Sequence, residues 1–458
     1  MQERAGTGST SRTARQLAVL CLVRWAWDRQ AVQPHIDAAI HASALSSQDR
    51  QLSVMLVQGV LRQMQHLDRI IAGFSRFPPA RMKPLTLMAL RVGVYQLLFL
   101  DRVPDSAAVN ESVRVLREER QPRWLVNFAN GVLRAIARNR ENLPGPEEPD
   151  TQGSPVLNHP EWLVRRWQAV YGDETTVRIC RANNHEPVLT LRVNTLRTTA
   201  MELAGKLKSC GCEVRPGRYA PDSLVLVRMS GPLSDLPGYA EGLFHVQDEA
   251  AQLVTLLLSP LLAEQRYLDA CAGLGGKTCH LGQLLSEGTE LLAVEPSAYR
   301  FCLLGQNLQR LRLADRVVPF HGRLEEFVAT GPGQFSRILL DAPCSGTGVI
   351  GRHPDIRWNR KPEDLPAYQR QQRALLELAR PLLAPGGVLL YATCSLEPEE
   401  NQDLVKAFLR EHPEFSVTDC REFLPPAAGE LVDASGYFCP TPARGLDGFF
   451  AARLHRAC

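Results

Sequence analysis

The sequence predicts a multidomain chain: an all-α N-terminal part, a small α+β module, and a C-terminal α/β domain of Rossmann-like type. Three observations carry this. Residues 246–458 alternate short apolar strands with helical stretches, the pattern of a mainly parallel sheet covered by helices on both faces. Residues 11–140 carry apolar positions at helical spacing only. Between the helical part and the α+β module lies Glu141–Pro155, rich in Pro, Gly and acidic residues and nearly free of apolar ones, which marks a boundary.

At 458 residues the chain is too long for one compact core. Its 45% hydrophobic and 22% charged residues are those of an ordinary soluble protein. No apolar run reaches the length of a membrane span, and Met1–Thr10 lacks the apolar region of a signal peptide. A cytoplasmic monomer without membrane contact is the expectation. The net charge of +3 conceals an asymmetry: residues 1–145 hold 20 Lys/Arg against 11 Asp/Glu, and the remainder 32 against 38. A basic N-terminal part points to a polyanion such as nucleic acid.

In the helical part, Leu90, Val94, Leu97 and Leu98 form one stripe. Val113 and Leu116, then Trp124, Leu125, Phe128, Val132 and Leu133, continue it in later helices. Asp105 after Pro104 offers a capped helix start. The module at 156–245 reads as strand Pro187–Val193, helix Thr199–Cys210 and strand Ser223–Arg228. Strands of the last domain, 246–458, are expected at Tyr267–Cys271, Leu291–Val294, Val317–Phe320, Arg337–Leu340 and Val388–Thr393. A helix over Pro362–Leu383 should stop at Pro385-Gly386-Gly387.

The 12 cysteines include no C-x-x-C pair, so no metal site is expected. Cys21, Cys180, Cys279, Cys302, Cys420 and Cys439 read as buried small hydrophobes. Cys344 and Cys394 differ. Each follows an apolar strand, in Ile338–Ser345 and Val388–Ser395, and open α/β sheets place reactive groups just past the carboxyl ends of their strands.

A third strand leads into Cys271-Ala272-Gly273-Leu274-Gly275-Gly276-Lys277-Thr278 and then a helix. Glycines let a ligand approach the backbone, and a helix start offers free N–H groups. Neither rival motif fits. A P-loop needs Gly where Cys271 stands, and G-x-G-x-x-G is absent. The next strand ends in Glu295, placed to hold the two hydroxyls of a ribose. With two thiols behind this loop, S-adenosylmethionine is the better fit.

Two thiols suit methylation of cytosine C5, a poor nucleophile. A thiolate adding to C6 makes C5 reactive toward a methyl sulfonium, and loss of the C5 proton then releases the thiol. Free Cys titrates at about 8.5. Ser395–Glu400 reads as a helix start whose positive end would favour the Cys394 thiolate. Asp341 is placed to bond the cytosine amine or protonate N3.

Asp341–Gly348 together with Ala392-Thr393-Cys394-Ser395 resembles the Sun family of RNA cytosine-5 methyltransferases. The resemblance implies that Cys394 attacks and Cys344 assists release. The DNA cytosine-5 enzymes attack with a Pro-Cys cysteine, so Cys344 as nucleophile is the rival assignment. It further implies cofactor contacts from Cys271, Ala272, Gly273, Leu274, Gly275, Gly276, Lys277, Glu295 and Asp341. Leu191–Asn194, Val246–Ala250, Arg352–Trp358 and Asp447–Phe450 are similar to other segments of the family. On this view Arg357 and Trp358 are candidates to line an RNA cleft. Two departures stand out: Leu274 replaces the family's proline, with a more mobile loop expected, and His321 or Arg323 stands where an acid is usual at the adenine side.

Leu97–Pro104, Ala107–Glu111 and Val126–Leu133 resemble the NusB-type RNA-binding domain. That fusion implies 16S ribosomal RNA as the substrate and partner. Transfer RNA as substrate, or a non-catalytic RNA-binding or antitermination role, are the alternatives.

Overall fold

The computed structural model describes residues 12–149 and 156–458. The N-terminal segment read for targeting signals and the last six linker residues lie outside the described residues. There are two compact units, one extending to His185 and including Arg352–Asn359, the other holding Glu186–Gly351 and Arg360–Cys458.

The first unit contains helices α1 (Ala14–Asp28), α2 (Val32–His41), α3 (Ser47–Arg62), α4 (Met64–Phe74), α5 (Pro84–Phe99), α6 (Asp105–Glu118), α7 (Arg123–Arg138), α8 (Glu161–Tyr171) and α9 (Asp173–Asn184). Helix α5 is apolar on nearly all sides, with Met88 through Leu97 buried, as a helix surrounded by others must be. Leu22, Trp25, Leu56, Leu67, Leu116 and Ile136 pack into the same core. Asp105 does not cap α6 from outside. It is the first helical residue, Pro104 occupies the cap position, and no side chain bonds there; a preset Pro φ makes the start without one.

The linker is less free than its composition suggests. The Arg69 guanidinium donates to the carbonyls of Gly145 (3.0 Å), Glu148 (2.9 Å) and Pro149 (3.2 Å). Proline and glycine prevent regular structure here, but a side chain satisfies the exposed carbonyls. The compact unit continues through α8 and α9.

The second unit opens with β1 (Leu189–Val193), α10 (Ala200–Ser209), β2 (Glu213–Pro216), β3 (Ser223–Arg228) and β4 (Phe244–Val246). These strands form an antiparallel sheet in the order β2-β3-β1-β4. Thr199 and Glu202 make a reciprocal capping box on α10.

The larger sheet and its helices come next: α11 (Glu249–Leu256), β5 (Arg266–Asp269), α12 (Gly276–Leu284), β6 (Glu290–Glu295), α13 (Ala298–Arg310), β7 (Val318–His321), α14 (Leu324–Ala329), β8 (Phe335–Asp341), α15 (Ile356–Asn359, which belongs to the first unit), α16 (Leu365–Ala379), β9 (Leu383–Thr393), α17 (Gln402–Glu411), β10 (Phe415–Thr418) and β11 (Phe450–Arg456). The strand order is β10-β11-β9-β8-β5-β6-β7. The five strands from β9 to β7 are parallel, and β11 and β10 run antiparallel to their neighbours. Both faces are covered, which explains the continuous apolar strands: Leu339, Leu390 and Ala392 enter one core, Ile338, Leu340, Leu389 and Tyr391 the other.

Three local readings change. Pro385-Gly386-Gly387 lies within β9, not after a helix: α16 stops at Ala379, one 3-10 turn intervenes, and the Pro-Gly-Gly stretch bulges beside β8 before pairing resumes at Val388. The α-helix expected beside Cys394 begins only at Gln402, after a single 3-10 turn at Pro398–Glu400 and Asn401. Its positive end is therefore not the neighbour of the thiol. Cys302 is exposed on α13 and Cys439 half-buried, while Cys21, Cys180, Cys279 and Cys420 are buried.

Candidate active site

The sheet reverses its winding between β5 and β8, where the chain goes outward to β6 and β7 on one side and to β9 on the other. A crevice at the carboxyl ends of such strands is the usual place for a ligand. The loops after β5, β8 and β9 carry the glycine segment, Cys344 and Cys394 respectively.

The glycine loop is built from backbone bonds. Ala272 N–H donates to Val294 (2.9 Å) and Gly275 N–H to Ala272 (2.9 Å). Gly275 caps α12 with φ +84°, and a Cβ there would stand 2.4 Å from Leu304, so only glycine makes the turn without strain. Glu295, 4% exposed, accepts from the N–H of Gly273 (2.9 Å) and of Ser297 (2.7 Å). An ionised carboxylate offers about four acceptor sites, so two bonds fix its orientation and leave capacity for ribose hydroxyls. Asp269 is buried beneath the loop, bonded to Thr278 Oγ1 (2.7 Å), and burial pushes its carboxyl up to about 6.

Leu274, 49% exposed, does not leave the loop untied: Asn307 Nδ2 from α13 donates to its carbonyl (3.0 Å). At the second departure, His321 stands in register with Glu295 and its ring lies 4.9 Å from that of Phe301. The N–H of Arg323 is instead engaged by Glu326 at the start of α14 (2.7 Å).

The thiols of Cys344 and Cys394 meet at 3.3 Å. The neighbouring Cys394, burial and the Glu400 carboxylate all push Cys344 well above the ordinary thiol range. Beside them Lys277 Nζ bonds Asp341 Oδ2 at 2.7 Å and lies 4.7 Å from the centre of the Phe449 ring. Gly448 and Gly348 are backbone neighbours: Gly448 N–H donates to Gly348 (2.8 Å), and Gly348 N–H to Cys394 (2.9 Å). The Asp447–Phe450 segment is thus laced to both cysteine loops.

The segments at Leu191–Asn194 and Val246–Ala250 form the support. Arg192, fully buried, donates to Gly276 (2.6 Å) and Gln283 (3.1 Å) and also bonds Gln247; burial lowers its guanidinium to about 10. Glu249 gathers the N–H groups of Arg218 (3.1 Å), Tyr219 (2.7 Å) and Ala220 (2.8 Å).

Arg357 and Trp358 do not line a cleft. Within the first unit Arg357 is 0% exposed and donates to Asn158 (2.9 Å), Asn183 (2.8 Å) and Asn184 (2.7 Å). Trp358 Nε1 donates to Leu61 (2.7 Å), and its ring packs on the helical core. With the Arg62 carbonyl at 3.4 Å as a fourth acceptor, this planar donor fork is a structural stitch.

Three segments match known family models: residues 12–138 the NusB family, 159–231 the ferredoxin-like domain of RsmF/B-like methyltransferases, and 255–455 the 16S rRNA methyltransferase RsmB/F. The probable ribosomal RNA small subunit methyltransferase B of Bacillus subtilis is 32% identical, covering 97% of this chain and 99% of its own. The chain belongs to the RsmB/F methyltransferase family. Ribosomal RNA small subunit methyltransferase B of Salmonella typhi is 38% identical over 90% of this chain and 91% of its own. Among solved structures, PH0851 superposes with a TM-score of 0.77 at 25% identity, covering 98% of this chain and all of its own. Family membership gives the three-part architecture its names: NusB domain, ferredoxin-like module, methyltransferase domain.

The donor set fits the family's cofactor. Glu295 retains acceptor capacity, and a Cβ built on Gly273 would meet nothing within 4 Å, so the loop leaves room at its backbone. Gln372 and Glu400, whose side chains bond one another and reach the residues next to both cysteines, carry no sequence signal that marks them as part of the site. Ser345 and Ser395 adjoin the cysteines, but nothing sets Glu400 apart from Glu399.

Proposed function

We propose that the protein transfers a methyl group from S-adenosylmethionine to C5 of a cytosine in 16S ribosomal RNA through a covalent Cys394–C6 adduct. The observation that carries this reading is the 3.3 Å contact of two thiols at the ends of adjacent parallel strands, with the Asp341–Lys277 pair beside them. The names borne by the relatives supply the RNA class.

Cys271–Lys277, Glu295 and Asp341 would hold the cofactor, which when bound supplies an electrophilic methyl group to the activated C5 carbon. Cys394 adds through sulfur to C6, and the electron pair of the C5–C6 double bond is made available at C5. Asp341, held by Lys277, either accepts a hydrogen bond from the cytosine amine or, in its acid form, gives a proton to N3 as negative charge moves onto the ring. In the release step the C5 proton passes to a base, its electron pair re-forms the C5–C6 double bond and the C6–S bond breaks, so Cys394 leaves as thiolate. Cys344, 3.3 Å from that sulfur, assists by donating a hydrogen bond to it. The target base must leave any stack to reach these groups. The basic NusB domain adds salt-dependent RNA affinity. Free thiols at the centre suit a reducing cytoplasm.

The test is incubation with methyl-labelled cofactor and 16S rRNA, then nucleoside analysis. Label in 5-methylcytidine supports the reading; label elsewhere, or none, overturns it.

A further inference from the structure

Glu400 is fully buried, as are Ser345, Ser395 and Gln372 around it. Its Oε1 accepts from the Ser345 backbone N–H (2.8 Å) and from Gln372 Nε2 (2.8 Å). Its Oε2 accepts from the hydroxyls of both Ser345 and Ser395, the latter at 2.5 Å. The two hydroxyls are 3.0 Å apart. Gln372 also donates to the Pro343 carbonyl (2.9 Å), so the residues before and after Cys344 are both tied to this carboxylate. The backbone around Glu400 is fixed in turn: Tyr391 Oη donates to the Glu400 carbonyl (2.6 Å), and Asn401 Nδ2 to that of Ser395 (2.8 Å).

All four donors to the carboxylate are neutral. A buried charge is costly unless its acceptor sites are filled, and here each oxygen takes two hydrogen bonds. The residues that fill them adjoin the two cysteines. No aliphatic side chain of that size could join two hydroxyls and a backbone N–H at one point.

We infer that Glu400 is a positioning residue whose buried carboxylate clamps the Cys344 loop to the Cys394 loop and so sets the distance between the two sulfurs. Glutamine can replace it. Its amide oxygen takes the Oε1 bonds, its NH2 donates to the serine oxygens, and serine hydroxyls serve as either donor or acceptor. Alanine cannot, and aspartate is one methylene too short to serve both loops.

The test reads sulfur proximity. The full-length protein is treated with dibromobimane, which bridges thiols in near contact, and bridged peptides are quantified by mass spectrometry. The Cys210–Cys212 pair, 3.7 Å apart and bonded to Ser230, is the internal reference. Glu400→Ala should lower the Cys344–Cys394 bridge at least tenfold relative to Cys210–Cys212, while Glu400→Gln stays within about twofold of the parent. Where Glu400→Ala does not fold, Glu400→Asp should show the same loss at retained charge. Parent-like bridging in either shortened variant, or an equal loss in Glu400→Gln, overturns the clamp. A second arm, a fall in kcat at unchanged KM for S-adenosylmethionine in Glu400→Asp, rests on the proposed reaction. Bridging does not, so a parent enzyme that fails to methylate cytosine overturns the reaction and leaves the clamp readable.

Discussion

Cys344 and Cys394 are fifty residues apart in sequence and 3.3 Å apart at their sulfurs, three residues and one residue beyond the ends of two strands paired in parallel. That proximity lets one substrate atom lie within reach of both thiols. Cys394→Ala should abolish methyl transfer and leave no protein–RNA adduct. Cys344→Ala should form the adduct and fail to resolve it, leaving a complex that survives a denaturing gel. Retained turnover in Cys394→Ala would hand the nucleophile's role to Cys344.

Asp269 predicts a pH effect. Burial raises its folded-state carboxyl from 3.8 to about 6. The folded protein therefore holds this proton more tightly than the unfolded chain, and its contribution to stability falls as pH rises from about 4 through about 6. His66 and His245, lowered by burial to about 4 and about 3, act in the opposite sense, because their contribution is lost as pH falls. The difference between parent and Asp269→Asn isolates the carboxyl. Thermal melts should show the variant gaining relative to the parent between pH 4 and 6, by roughly 3 kcal/mol at most.

Arg357 predicts a stability effect in the first unit. Its guanidinium, lowered to about 9 by burial, serves four oxygens, those of Arg62, Asn158, Asn183 and Asn184, while fully buried. Arg357→Met removes those bonds and strands their acceptors, a loss of about 3 kcal/mol or more in chemical denaturation. Arg357→Lys should recover only part of it, since an ammonium cannot reproduce the planar fork.

Gly348 predicts a steric effect. A Cβ there would lie 2.2 Å from the Gly448 carbonyl oxygen and 2.9 Å from that of Cys394, and backbone cannot move aside as a side chain does. Gly348→Ala should cost about 1–3 kcal/mol and lower methyl transfer more than tenfold by parting the two loops. A melt and an initial rate equal to the parent's would refute this.

Much of the scaffold was legible because its signals are local. The apolar runs through Ile338–Leu340 and Val388–Leu390 announce strands buried on both faces, and the motifs at their ends locate Cys344 and Cys394. What escaped depends on contacts made across the fold. Asp105 reads as a cap until Pro104 is seen in that position. The acid run after Cys394 reads as a helix start, yet it turns once and sends Glu400 inward beneath both loops. Arg357 and Trp358 look like surface groups in a polar stretch, and their partners lie some 170 to 300 residues earlier.

The position of β11 bears on how the protein is made. This strand is translated after every other strand of the sheet, yet it lies between β9 and β10. Until Phe450–Arg456 leaves the ribosome, β9 has an open edge and β10 has no neighbour. A nascent chain at that stage shows unpaired backbone and a Cys344 loop lacking its bond from Gly448, a template for misassociation. Stop codons upstream of Phe450 should therefore give insoluble product rather than a shortened enzyme.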